Sequence, residues 1–289
     1  MRPKPLLLSL VVSACLASVS TQAAPPPVAA TPTAEQARAF LLGLLVKSPY
    51  RLPPAALNGE IRYRLRFESG QAWRIPDTGE QAATATADGI ALAVCADCGD
   101  EAAPTDAELQ RYLSPNAWVR SDDRDIRAFA RSHGSGLSVH TRMKTLAAAV
   151  RAHMTGPIDY RHYHDAATAL RNRGGDCTEF AVLLAAVARA RGIPARIAHG
   201  LAYSGRMSGQ PHVFSPHAWV QVWDGTRWTS YDAALGAFGA GHIALIVGDG
   251  DPTALRGLNR AMRDLRVVDA AGIRRTVAQA GDAGADRAP

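Results

Sequence analysis

Two segments limit what this chain can fold into more than any others: an apolar run opening at Cys177 and a β-hairpin pattern from His217 to Asp232. Gly175-Asp176-Cys177 begins the first. Asp176 is an N-cap residue type, and Glu179 follows three residues later as in a capping box. Phe180, Leu183, Leu184 and Val187 then recur at helical spacing until Gly192 and Pro194 stop the helix. In the second, His217-Ala-Trp-Val-Gln-Val-Trp223 meets the turn signal Asp224-Gly225 and returns as Thr226-Arg-Trp-Thr-Ser-Tyr-Asp232. Read as a two-residue hairpin, this pairs Trp223 with Thr226. His217 then falls directly opposite Asp232 on one face, with Cβ atoms about 5 Å apart.

Residues placed in this way form an activated nucleophile. A cysteine at the first helical position meets free N–H groups and the positive end of the helix dipole, which favour a thiolate. The same N–H groups can stabilise a negative oxygen developing on an attacked carbonyl. Asp176 and Glu179 oppose the dipole locally, so a nearby imidazolium is expected to be the stronger influence on the thiol. His217 is the candidate base and Asp232 the candidate orienting acid for Cys177. A lone cysteine at a helix start is more often a packing residue. The pairing of a histidine with a carboxylate separates this one from that background.

The stretch Gly175-Asp-Cys-Thr-Glu-Phe-Ala-Val-Leu-Leu184, then Arg189-Ala-Arg-Gly-Ile-Pro-Ala-Arg196, Gly200, His217-Ala-Trp219, Trp228 and Asp232 resembles the bacterial transglutaminase-like superfamily. The resemblance covers roughly residues 140–250, about one small domain. Cys177, His217 and Asp232 match that family's nucleophile, base and orienting acid. Asp232 is followed by Ala233-Ala234, where many members read Asp-Pro-Thr, so the turn after the acid differs. The resemblance implies a papain-like α+β core, with the nucleophile helix packed on an antiparallel sheet, and cysteine acyl chemistry on amide or peptide bonds without a cofactor. It does not choose among hydrolases, cross-linking transglutaminases and non-catalytic peptide-binding modules of the same fold.

Composition narrows the setting. Arg2 and Lys4 precede the apolar run Leu6–Val19, which ends in Thr21-Gln-Ala-Ala24, the pattern of an export signal over 1–23. The expected location is periplasmic or secreted, with membrane attachment only if Cys15 of Val12-Ser-Ala-Cys15 is lipidated. Beyond the signal, Cys95-Ala-Asp-Cys98 can close a local disulfide, leaving Cys177 as the free thiol. The net charge of +6 is spread through Arg without a basic run, so no nucleic-acid partner is expected. The implied partner is a peptide or protein substrate, with cell-envelope polymers suggested by location alone.

The rest of the chain reads as a linker over 24–33, an accessory region of strands and helices over 34–134, a catalytic domain over 135–270 and a disordered tail over 271–289. Strands are expected at 61–67, 72–76, 89–94, 195–203 and 242–247, and helices at 34–46, after Ser121, and at 139–154. Tyr160 and Tyr163 are candidates for a second oxyanion donor, and Trp219 and Trp228 for cleft walls. His162-Tyr-His-Asp165 lacks a fourth ligand at familiar spacing, and no metal is assigned to it. Ser204–Pro211, polar and glycine-bearing, is expected to be a mobile lip over an open cleft. Neither it nor any acidic, aromatic-lined feature looks built to hold a lysine ammonium, which favours hydrolysis over cross-linking.

Overall fold

The structure, a computed structural model, describes residues 31–70 and 73–273. The expected export signal, most of the expected linker, the Cys15 lipidation site and the tail from residue 274 lie outside the described residues. In chain order the elements are α1 (Ala34–Leu42), β1 (Val46–Lys47), α2 (Pro54–Leu57), β2 (Glu60–Phe67), β3 (Gln81–Thr86), β4 (Gly89–Val94), α3 (Asp106–Leu113), α4 (Arg124–His133) and α5 (Val139–His153). They continue with α6 (Ala166–Asn172), α7 (Cys177–Ala190), β5 (Ala195–Met207), β6 (Gln210–Trp223), β7 (Trp228–Tyr231), β8 (His242–Gly248), α8 (Leu255–Asp264) and β9 (Leu265–Ile273). Among the described residues no helix is long and apolar enough to cross a membrane.

This is an α+β fold built on two antiparallel sheets, β1-β6-β5-β8 with β7 also on β6, and β3-β4-β2-β9. Two apolar clusters hold it. In the first, Ile126, Met143, Leu146 and Val150 from the surrounding helices and Val182–Ala188 of α7 pack on Ile197, Ala218, Val220 and Val222. In the second, the inward residues Ile61, Tyr63, Leu65 and Phe67 of β2 and Leu92 of β4 pack with Leu201, Phe214 and Ile243 of the other sheet. Alternation along β2 follows its arginines: Arg62, Arg64 and Arg66 are exposed between buried neighbours. β9 pairs with β2 along its whole length, so the last described strand shares a sheet with the expected accessory region and runs three residues into the span expected as tail.

Three sequence expectations need correction. Of the expected strand 72–76, the described residues 73–76 lie outside any strand. β3 is the Ala/Thr stretch 81–86, an edge strand whose small residues give no polarity alternation to read. Ser204–Pro211 is not a lip but the tip of the β5–β6 hairpin, with Met207 opposite Gln210 across Ser208-Gly209. Both turn residues have positive φ, 48° and 87°, as a two-residue turn matched to strand twist requires. The run is polar because a two-stranded ribbon projects into water there.

The third correction concerns the β6–β7 register. Trp223 pairs with Trp228, not Thr226, and the loop has four residues. The Asp224 carboxylate accepts from the N–H groups of Thr226 and Arg227 at 2.8 and 2.9 Å, while Asp224 N–H donates to the Arg227 carbonyl at 3.1 Å. The Asp-Gly signal therefore opens a side-chain-closed loop. A slip of two residues preserves the face of every side chain, where a slip of one would have reversed it. Asp232 stays on the His217 side, displaced along the strand.

Cys95 and Cys98 are disulfide-bonded, and Cys177 is a free thiol. Unreduced, denatured protein, freed of any segment carrying Cys15, should titrate one thiol, and Cys177→Ser should titrate none. Two further thiols would mean that the Cys95–Cys98 bond does not form in solution.

Candidate active site

Helix α7 starts where its caps dictate. The Asp176 side chain accepts from Thr178 N–H at 2.8 Å, and Glu179 Oε2 accepts from Asp176 N–H at 2.9 Å. Glu179 is fully buried, and its other oxygen accepts from His164 N–H at 2.8 Å, tying the 160s segment to the helix start. Gly175 sits at φ +136°, and a Cβ there would fall 2.5 Å from the Glu179 side chain, so the residue before the cap must be glycine.

Cys177 faces a gap in the edge of the first sheet. β1 pairs with β6 at Val213 and Phe214, and β7 pairs with it only from Val220 onward. In the open interval the Ala218 N–H is directed at the Cys177 sulfur. Burial, and then the Asp176 charge, push the Cys177 thiol well above its ordinary value, with Asp232 and Glu179 adding to this and the Ala218 N–H opposing it. The resting sulfur therefore holds its proton and needs a base. Its place at the helix N-terminus does not free it, because burial and the neighbouring carboxylates oppose an anion there.

His217 and Asp232 are brought together in that gap, both buried, with Nε2 2.7 Å from Oδ2. Facing a carboxylate, Nε2 carries the hydrogen, which leaves Nδ1 of the neutral ring as the lone-pair nitrogen. Nδ1 makes no hydrogen bond among the described residues. Burial alone would raise Asp232, but hydrogen bonds from His217 and His242 outweigh it and hold the carboxyl well below the usual range. Asp232 Oδ1 accepts from Leu235 N–H at 2.9 Å.

The remaining sequence candidates divide. Trp219 is buried and stacks on the His217 ring, with centroids 6.2 Å apart and planes at 19°. Its Nε1 donates to Ser230 Oγ at 3.1 Å, which fixes the indole behind the His217 ring. Ser230 in turn donates its N–H to the buried Glu80 at 2.8 Å, and burial pushes Glu80 up to about 7. Trp228 lies away from the cleft under the Arg196 guanidinium, 4.1 Å from its ring centre, and against Tyr112. The Tyr163 hydroxyl donates to the Gly250 carbonyl at 2.7 Å, which commits its proton to the scaffold. Both tyrosines lie close enough to Asp176 and Cys177 to feel their charge, and Tyr160, 40% exposed, is the more accessible of the two.

Sequence reasoning missed two histidines. His199 pairs with Ala218 on β5 and is buried, which, with His217 beside it, lowers it to about 4 and keeps it neutral. His242 brings a second Nε2 to Asp232 Oδ2, at 3.0 Å. The donor atoms of His217, Asp232 and His242 lie within 4.8 Å of one another, a spacing that a metal ion could use, but each is already hydrogen-bonded within the trio. Glu60, Cys95 and Cys98 also converge, but the two sulfurs are bonded to each other.

The fold and site together define an α+β protein with a thiol at a helix start beside a histidine–carboxylate pair at a sheet edge. Residues 127–233 match the family model of the transglutaminase-like superfamily. No curated protein matches it. Similar solved structures include a candidate cysteine protease from Cytophaga hutchinsonii, 16% identical over 75% of this chain and 83% of that one, with a TM-score of 0.45. The periplasmic domain of TgpA from Pseudomonas aeruginosa, bound to ethylmercury, is 16% identical over 70% and 95%, with a TM-score of 0.43. The red sea bream transglutaminase is 14% identical over 68% and 49%, with a TM-score of 0.31.

Proposed function

We propose that this chain is an exported cysteine enzyme that opens amide or peptide bonds through an acyl-thioester, with water as the preferred acceptor. The observation that carries the reading is the 2.7 Å bond from His217 Nε2 to Asp232, which leaves Nδ1 unoccupied beside the residue whose N–H meets the Cys177 sulfur. Because the thiol rests protonated, His217 Nδ1 takes its proton as the sulfur attacks the carbonyl carbon. The new S–C bond forms and the carbonyl electrons move onto oxygen. The Cys177 N–H, which makes no other hydrogen bond among the described residues, is the helix-start donor for that oxyanion. The C–N bond then breaks, and the imidazolium returns the proton to the leaving amine. Water, deprotonated by the same nitrogen, cleaves the thioester and restores the thiol. Asp232 holds the ring's tautomer throughout.

The basic, apolar N-terminal stretch supports export, and the Cys95–Cys98 disulfide fits an oxidising compartment. Peptide or protein substrates in or near the cell envelope follow from that location. Hydrolysis is preferred because an amine at millimolar level must beat water at about 55 M, an advantage on the order of 10⁴. The β5–β6 ribbon, residues 195–223, carries no acidic side chain that could cradle a lysine. Incubation with glutaminyl peptides and a millimolar primary amine should yield mainly acid product by mass spectrometry. Predominant amine incorporation would overturn the hydrolase preference.

A further inference from the structure

We infer that His242 is a positioning residue for the reaction, a second imidazole that fixes the carboxylate on which His217 depends; this rests on the proposed Cys177–His217–Asp232 mechanism. Asp232 Oδ2 accepts from both rings, at 2.7 Å from His217 and 3.0 Å from His242. With Leu235 N–H on Oδ1, the carboxylate has three donors and one orientation. Without His242, Oδ2 would keep a free lone pair inside a buried site, and the carboxylate could rotate about its Cβ–Cγ bond away from His217.

His242 is itself held at its other nitrogen. Nδ1 lies 3.3 Å from the Gly239 N–H and 3.1 Å from the Gly239 carbonyl. A neutral ring accepts from the first and a charged ring donates to the second, so Nε2 donates to Asp232 in either state. The turn that carries the ring is pinned from outside the matched segment 127–233. Ala240 N–H donates to the Leu57 carbonyl at 2.7 Å, and the Tyr63 hydroxyl donates to the Ala240 carbonyl at 2.6 Å. A Cβ on Gly239 would fall 2.6 Å from that Leu57 carbonyl, which sets how closely the turn approaches α2. The accessory region thus builds one arm of the site: β2 and α2 seat the turn, the turn seats His242, and His242 seats Asp232.

The test is a set of variants assayed with the same peptide substrate. His242→Phe keeps a ring and removes the donor; His242→Gln returns an N–H donor at the Nε2 position. His242→Phe should lower kcat roughly ten- to a hundredfold, the loss of one charge-assisted hydrogen bond, with KM changed less than about twofold. His242→Gln should recover most of that loss. In an Asp232→Asn background the Phe substitution should change kcat by less than about twofold, since its effect passes through Asp232. If the Phe variant does not fold, His242→Leu takes its place in the same comparisons. A wild-type kcat in the donor-free variant, equal losses in the Gln and donor-free variants, or an undiminished loss without Asp232 would each overturn the inference. Cys177→Ala separates the two claims: activity surviving there refutes the mechanism itself, whereas its loss beside a fully active His242→Phe refutes only the role of His242.

Discussion

Cys177→Ala should reduce kcat by roughly 10⁴-fold or more, with the fold and the Cys95–Cys98 disulfide intact. The size of the expected loss follows from the covalent role: no neighbouring group replaces a missing nucleophile. Among the described residues Cys177 is the free thiol, half-buried at the helix start with its sulfur against the Ala218 N–H. Cys177→Ser should be nearly as inactive, because an alkoxide is far harder to form than a thiolate and the site already disfavours an anion there. Burial and the Asp176, Asp232 and Glu179 charges all push against it. Turnover within tenfold of wild type in either variant, measured with purified protein and a peptide panel, would move the reaction elsewhere.

Asp232→Asn should cost about 10²- to 10⁴-fold in kcat while leaving one titratable thiol. The wild-type carboxylate accepts from three N–H donors, two at Oδ2 and one at Oδ1. An amide has one oxygen. Turned toward the two histidines, it faces Leu235 N–H with its own NH₂; turned toward Leu235, it offers NH₂ to both rings and forces His217 into the wrong tautomer. Stability should change with a defined sign as well. The folded-state pKa of Asp232 is depressed below the unfolded 3.8, so its contribution is fully present above about pH 4 and is lost as pH falls through the folded value. Chemical denaturation at pH 7 should find Asp232→Asn less stable than wild type, with the difference shrinking in acid. An Asn variant with wild-type kcat would remove Asp232 from the mechanism.

Helix α7 was fully legible because its start is written locally: cap, capping-box acid and apolar spacing all fall within a few residues. The face shared by His217 and Asp232 was legible for a different reason, since strand parity survives an error of two. The register was not, because Asp224 closes a four-residue loop with its own side chain, and the dipeptide alone reads equally well as a two-residue turn. Trp228 illustrates what a motif leaves out. Its indole looked available for a cleft until Arg196, held by Glu101 at 2.6 Å and by Gln221 at 3.0 Å, covered it from another strand. His242 had no local signal at all. Ten residues beyond Asp232 and at the start of an ordinary apolar strand, it reaches the carboxylate only through the pairing of β8 with β5 and the turn anchored on α2.

The most direct measurement uses the p-nitrophenyl ester of an N-acyl peptide, whose activated leaving group lets acylation outrun hydrolysis. Rapid mixing with stoichiometric enzyme should release a burst of about one p-nitrophenol per active site. Acid-quenched protein should gain the acyl mass on the peptide that contains Cys177, and Asp232→Asn should slow the burst without moving the adduct. Steady release with no burst and no adduct in the wild type, or an acyl group mapped to any other residue, would contradict the account.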